Sequence, residues 1–209
     1  MNRTTFRLVL LISCAHALVH AFELALPSVE QMIGEDFEVS RKQTGMLGTT
    51  WRLPFGFGAL LAGWLADRYG SKPLLLVFLG GCIATSLLAY WSPSLSVLFV
   101  VMFAMGCFAS IYHPVGLALI SRETTPENLP AALGWHGILG SIGITSAPLI
   151  AAIVFGATDI GWRDYYVVLC LPATVIALLI VVTLPKAQRR RETTSSPTVT
   201  VATAEPETA

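Results

Sequence analysis

His16, His20, Glu23 and Pro27 follow one another at i, i+4, i+7 and i+11. At about 100° per residue they fall on one narrow stripe of a helix. All four histidines of the chain, these two with His113 and His136, lie inside long apolar runs. An imidazole changes charge near neutral pH, and ionisable groups within apolar spans usually face a bundle interior or a wet cavity. The stripe therefore suits a cavity wall that binds a substrate or protons. It also suits side chains that bond helix backbones and hold a bundle together. A third reading is metal, since His-x-x-x-His puts two imidazoles on one face and Glu23 could add an oxygen. No cysteine or second carboxylate accompanies them, so no metal is expected.

Arg52 is the one basic residue deep in an apolar run. A buried charge needs a partner. Glu23 and Arg52 lie at comparable depth on neighbouring antiparallel helices, which makes them a candidate pair. Arg52 could instead reach a substrate anion, as a guanidinium does well. A further segment, Ser110 to Gly116, reads SIYHPVG. Pro114 should kink that helix and release a carbonyl near Ser110, beside Tyr112 and His113. No nucleophile motif, phosphate loop or paired-carboxylate arrangement stands out. Neither an enzyme nor a cofactor is expected.

The elements that must position these groups are helices in a bilayer. The chain has 209 residues, is 54% hydrophobic and only 12% charged, and carries no net charge. A soluble domain usually has about a quarter charged residues. Nothing in that balance points to nucleic acid. Cys14, Cys82, Cys107 and Cys170 all sit in apolar runs, with no disulfide or metal spacing. Six runs are long enough to cross a membrane, at approximately 6–31, 43–66, 73–91, 95–120, 129–155 and 165–184. The first is too long and too polar for a cleaved signal. Backbone groups in lipid must bond internally, and the alternation of a barrel strand is absent, so the fold class is an all-α polytopic membrane protein.

Placing the N-terminus in the cytoplasm puts Arg3, Arg7, Arg68, Lys72, Arg122, Lys186, Arg189, Arg190 and Arg191 inside, against Arg41, Lys42 and Arg163 outside. That bias predicts both termini inside. Tyr90, Trp91, Trp162 and Tyr165 fall at expected outer boundaries, where amphipathic rings prefer to sit. Residues 1–185 thus form one transmembrane domain. Residues 186–209 read as a basic, then disordered, cytoplasmic tail.

Between the second and third runs the chain reads GWLADRYGSK, from Gly63 to Lys72. The glycines and Pro73 suit a tight charged turn between two spans. This stretch resembles the loop between helices two and three of the major facilitator superfamily, G-x-L-A-D-R-x-G-x-K. Gly63, Leu65, Ala66, Asp67, Arg68, Gly70 and Lys72 fit, and Ser71 departs from a basic residue. The fifth run carries Gly134, Gly137, Gly140 and Gly143 at every third place, a strip that lets another helix approach closely. Its continuation to Pro148 is similar to the G-x-x-x-G-P signature of the superfamily's antiporters, with Ala147 for the second glycine. Gly161-Trp162-Arg163 resembles the family's entry to its sixth helix. SIYHPVG and the His-x-x-x-His stretch together resemble the fosmidomycin-resistance type of drug exporters. The fourth helix departs from a common pattern, with Met102 where an arginine often stands.

The resemblance implies one six-helix half of that fold, built from two inverted three-helix repeats. It implies a secondary transporter working by alternating access, with proton-coupled transport or efflux of a small molecule across a bacterial inner membrane. Asp67, Arg68 and Arg122 would form a charged latch at the inner helix ends. A second six-helix half, either another copy or a separate chain, would complete the fold. The alternatives are a non-transporting assembly protein or truncated remnant and, more distantly, an intramembrane metalloenzyme using His16, His20 and Glu23.

Overall fold

The computed structural model describes residues 1–184 and is helical nearly throughout. The expected tail at 186–209 lies outside the described residues. The elements are α1 (Arg3–Asp36), α2 (Arg41–Tyr69), α3 (Ser71–Tyr90), α4 (Leu95–Ala109), α5 (Tyr112–Glu123), α6 (Leu129–Ala157) and α7 (Trp162–Thr183). Local chemistry sets several of their ends. The Asn2 side chain accepts from the Thr5 amide, and the Gln43 side chain accepts from the Ser40 amide. The link between α2 and α3 is Gly70 alone, at φ 85°. That left-handed conformation is one a side chain would strain.

Five stretches are long and apolar enough to cross a membrane: α1, α3, α4 with α5 taken together, α6 and α7. The sixth expected span, α2, has the length, at 29 residues. It is less apolar because Arg41, Lys42, Arg52, Asp67 and Arg68 all lie on it. The run expected at 95–120 is a single apolar stretch, Leu95–Glu123, interrupted near Ser110 where the Pro114 kink was expected, with Ser110 and Ile111 keeping right-handed helical backbone angles. α4 stops at Ala109 and α5 starts at Tyr112. Pro114 has no N–H for the Ser110 carbonyl, and the Ser110 hydroxyl turns back to the Cys107 carbonyl at 2.7 Å.

α1 is the centre of the bundle and packs against α2, α4, α5, α6 and α7. Lipid tails are as apolar as leucine, so helix association rests on close packing rather than on burial from water. Glycine makes that packing possible at two crossings. A Cβ on Gly143 would lie 2.2 Å from the Ala17 carbonyl oxygen of α1, and one on Gly106 of α4 would lie 2.1 Å from the Trp51 carbonyl of α2. The expected four-glycine strip on α6 divides in two. Gly140 and Gly143 meet α1, whereas added carbons at Gly134 and Gly137 would meet nothing within 4 Å. A three-residue step falls about 60° short of a full turn, so the strip winds off the contact face. Gly134 and Gly137 instead line a shallow apolar groove with Ile138, Ser141 and Ile142.

The boundary aromatics also divide. Trp91 is 74% exposed, as a headgroup anchor would be, but Trp162 and Tyr165 are buried in the bundle. Each has a polar tip with a protein partner. The Trp162 indole donates to Asp36, and the Tyr165 hydroxyl donates to the Ala147 carbonyl at 2.7 Å.

Candidate functional site

Four imidazoles from three helices converge on the middle of the bundle. α1 brings His16 and His20, α5 brings His113 and α6 brings His136. His16 stacks on His136 with ring centroids 3.8 Å apart and planes 6° from parallel. Tyr112 lies nearly parallel beside this stack, 5.4 Å from His16 and 6.0 Å from His136. His113 meets His16 edge-on at 5.1 Å and His20 at 5.4 Å. The close approach of α6 at Gly140 makes room for this, since a Cβ there would lie 2.4 Å from the His16 ring. The break before α5 turns the chain so that Tyr112 and His113 face α1.

The hydrogen bonds define which nitrogens carry protons. His16 Nδ1 donates to the His136 backbone carbonyl at 2.7 Å, and a carbonyl can only accept. His20 Nδ1 donates to the Glu23 carboxylate at 2.9 Å. The two Nε2 atoms then face each other at 3.1 Å. In neutral rings with Nδ1 protonated, both Nε2 atoms hold lone pairs. Lone pair against lone pair is repulsive, so this contact calls for a proton on one of the two Nε2 atoms. One shared proton would satisfy it, and its charge would balance Glu23. Tyr112, a sequence candidate for substrate contact, is fully buried and donates to the Ile12 carbonyl at 2.5 Å. It braces the cluster. His136 is buried, and its Nδ1 has no partner among the described residues.

Next to the cluster, Glu23 and Pro27 continue the α1 stripe into a cavity of about 220 Å³ between α1 and α2. Arg52, Thr49 and Trp51 line its other side. Glu23 bonds His20 and is not within ion-pair distance of Arg52, although both line this cavity. Among the described residues the ion pairs are His20–Glu23 and Arg163–Asp36. Glu30 is a lining residue that sequence reasoning passed over. Its signal was present, because position 30 continues the same stripe one step beyond 27. Glu30 accepts a hydrogen bond from Thr44 at 2.7 Å.

The α2–α3 loop is arranged differently from the charged latch expected there. Asp67 is exposed and makes no ion pair among the described residues. Arg68 lies over the rings of Trp64 and Tyr69, at 5.6 and 5.7 Å. Arg122 donates to the Ser71 hydroxyl, at the position where the resemblance expected a basic residue. Lys72 donates to the Val181 carbonyl at 2.8 Å and to the Leu184 carbonyl, at the C-terminal end of α7. A cation belongs there, because the last carbonyls of a helix lack partners and carry partial negative charge. Gly63 lies within α2 and faces Pro114. Met102, where an arginine was a possibility, is buried and accepts from the Tyr166 hydroxyl at 3.7 Å.

Comparison with known proteins identifies the family. The sequence model described as "Major Facilitator Superfamily" matches residues 10–205. The multidrug resistance protein B homolog of Mycobacterium tuberculosis is 26% identical over 169 residues, which is 79% of this chain and 30% of that protein. The puromycin resistance protein of Streptomyces alboniger is 30% identical over 79% of this chain and 32% of its own length. The 4-hydroxybenzoate transporter of Pseudomonas putida is 27% identical over 90% of this chain and 42% of its own. The chain thus spans roughly a third of the first relatives it matches. In fold it resembles the inward-facing crystal structure of a bacterial homolog of the human lysosomal transporter Spinster. The TM-score is 0.80 at 16% identity, covering 90% of this chain and 45% of that one. With the family match running through nearly the whole described bundle, the chain belongs to the Major Facilitator Superfamily.

Proposed function

We propose that the chain is the N-terminal six-helix half of a secondary active transporter, moving a small molecule in exchange for protons by alternating access. The observation that carries the reading is the run Glu23–His20–His16. A carboxylate bonds one imidazole, and that imidazole faces a second across a gap fitted to a single proton. The run opens at Glu23 into a cavity whose far wall holds Arg52. Protonation at one end can therefore change the charge that a substrate meets at the other. His113 and His136 surround the proton site. The drug-resistance names of several relatives favour efflux of an organic compound, and an anionic substrate would suit Arg52.

In this reading α2 is the sixth span, and both termini are cytoplasmic. Its polar groups then need cover. Arg52 is exposed on α2, as are Ser141 and Thr145 on α6. Charged and polar side chains are costly against lipid, and a second six-helix half would enclose them. Rocking of the two halves would expose the cavity alternately, with the α2–α3 end as a contact that opens and closes.

Proteoliposomes holding the full chain and a pH-sensitive dye would test this. A panel of puromycin, 4-hydroxybenzoate and aromatic cations would be supplied outside. The reading predicts substrate-dependent proton flux that Glu23→Gln and His20→Ala remove or shift in pH profile at normal protein level. Flux with an unchanged pH profile in both variants would make the two residues structural. A chain that only packs against another membrane protein would give no flux with any compound.

A further inference from the structure

We infer that the histidine cluster is also a binding site for one divalent transition-metal ion of the zinc class. The inference concerns the same residues as the proposed proton site but does not rest on transport. One nitrogen of each of His16, His20 and His113 lies within 4.8 Å of one from each of the others. Sequence offered only two imidazoles on α1. The fold adds the third from α5.

Three features fit a metal better than chance proximity would. First, the His16 and His20 Nε2 atoms are 3.1 Å apart. Two nitrogens at about 2.0–2.1 Å from a tetrahedral zinc ion stand roughly 3.3 Å apart, so this pair already has nearly the needed spacing. His113 has a nitrogen within 4.8 Å of each of theirs, and a side-chain adjustment would bring it to the same bond length. Second, the outer bonds are those that metal-bound histidines make. His20 Nδ1 donates to the Glu23 carboxylate, and His16 Nδ1 donates to the His136 carbonyl. Such partners fix the tautomer that points a lone pair inward and raise ligand basicity. Third, three imidazoles leave a fourth position for water or another donor. The cysteines do not compete for this site. The cluster contains only His16, His20 and His113.

Three neutral nitrogen donors of this softness suit zinc, cobalt, nickel or copper and do not suit magnesium or calcium. No bond is made or broken beyond coordination. The metal and the shared proton would exclude each other, because both need the lone pairs of the same two Nε2 atoms.

Cobalt(II) is the probe, since its visible absorption reports tetrahedral nitrogen coordination. The purified full chain, in nanodiscs, would be titrated with Co²⁺ at neutral pH and then with Zn²⁺. The expected result is one Co²⁺ per chain, a tetrahedral d–d band, and displacement by Zn²⁺ and by acid. His20→Ala and His113→Ala should each weaken binding at least about tenfold, and Glu23→Gln about tenfold, as loss of an outer carboxylate does. Cys107→Ser, at an exposed thiol, should leave the band unchanged. Absence of a stoichiometric band in the unmodified chain would overturn the proposal and leave a shared proton as the sole occupant. A band that survives in both histidine variants would also overturn it, by placing the metal elsewhere.

Discussion

At the α2–α3 end, Lys72 donates to the carbonyls that finish α7, and Arg122 donates to the Ser71 hydroxyl. In the middle of the bundle, His16, His20 and Glu23 bond in series instead. The first region uses permanent cations on neutral oxygens. Arg cannot lose its proton and Lys rarely does, so these contacts change only when helices move apart. The second region uses groups whose charge is itself variable. A fold that must both rock and respond to protons can divide the work in this way. On the proposed function, the end contacts would follow helix position and the central ones the charge of the site.

The largest effect should come from the centre. His20→Ala removes the bond to Glu23 and the contact with His16 together. It leaves a half-buried carboxylate without its partner, and flux should fall by about tenfold or more. If His20→Ala kept wild-type flux while Arg122→Ala abolished it, the division of roles would be reversed.

Packing comes next. Gly143→Ala puts a carbon 2.2 Å from a backbone oxygen of α1, which cannot swing aside as a side chain could. The cost should be about 1–3 kcal/mol, read from thermal unfolding in detergent. Gly137→Ala, with nothing within 4 Å, should be neutral or stabilising, by up to about 1 kcal/mol from helix propensity. Equal costs at the two positions would mean that α6 is rotated relative to this account.

The end of the bundle opposite the α2–α3 loop offers an intermediate case. Arg163 donates to Asp36 at 2.6 Å and to the Ser92 carbonyl at 3.2 Å, and it lies 4.3 Å from the Trp162 ring centroid. Arg163→Ala should cost about 1–2 kcal/mol because three elements lose a shared partner. Asp36→Asn should cost less than about 1 kcal/mol, because that pair is partly exposed and screened by salt. The smallest effect should be that of Asp67→Asn. Asp67 has no ion pair among the described residues, so stability should change by less than about 0.5 kcal/mol. A larger loss would restore the charged latch that the loop motif suggested.

Much of this was legible in the chain. Apolar length and turn glycines marked the spans, and the i, i+4, i+7 pattern placed His16, His20 and Glu23 on one face. What was not legible is how α5 and α6 rotate about their axes. α6 is apolar almost all round, so hydrophobic pattern gives it no preferred face. Its orientation comes from Gly140 and Gly143, which admit the ring of His16 and the backbone of Ala17. That rotation brings His136 onto His16. The two-residue break at Ser110 and Ile111 turns His113 inward, and a proline predicts a bend without predicting its direction. Ser71 was read as a departure from a motif, yet it is the acceptor for Arg122. Trp162 and Tyr165 are expected at outer boundaries, where amphipathic rings prefer to sit. They are buried because Asp36 and the Ala147 carbonyl offer their polar tips partners inside the bundle.

The central claim is that His16 and His20 both carry their proton on Nδ1, with one further proton on one of their Nε2 atoms. With four histidines in the chain, imidazole ¹⁵N NMR of the full chain in nanodiscs can resolve each ring, with His113→Gln and His136→Gln used for assignment. The account predicts protonated Nδ1 on both rings in metal-free protein. An Nε2–H with bare Nδ1 on either ring would contradict it.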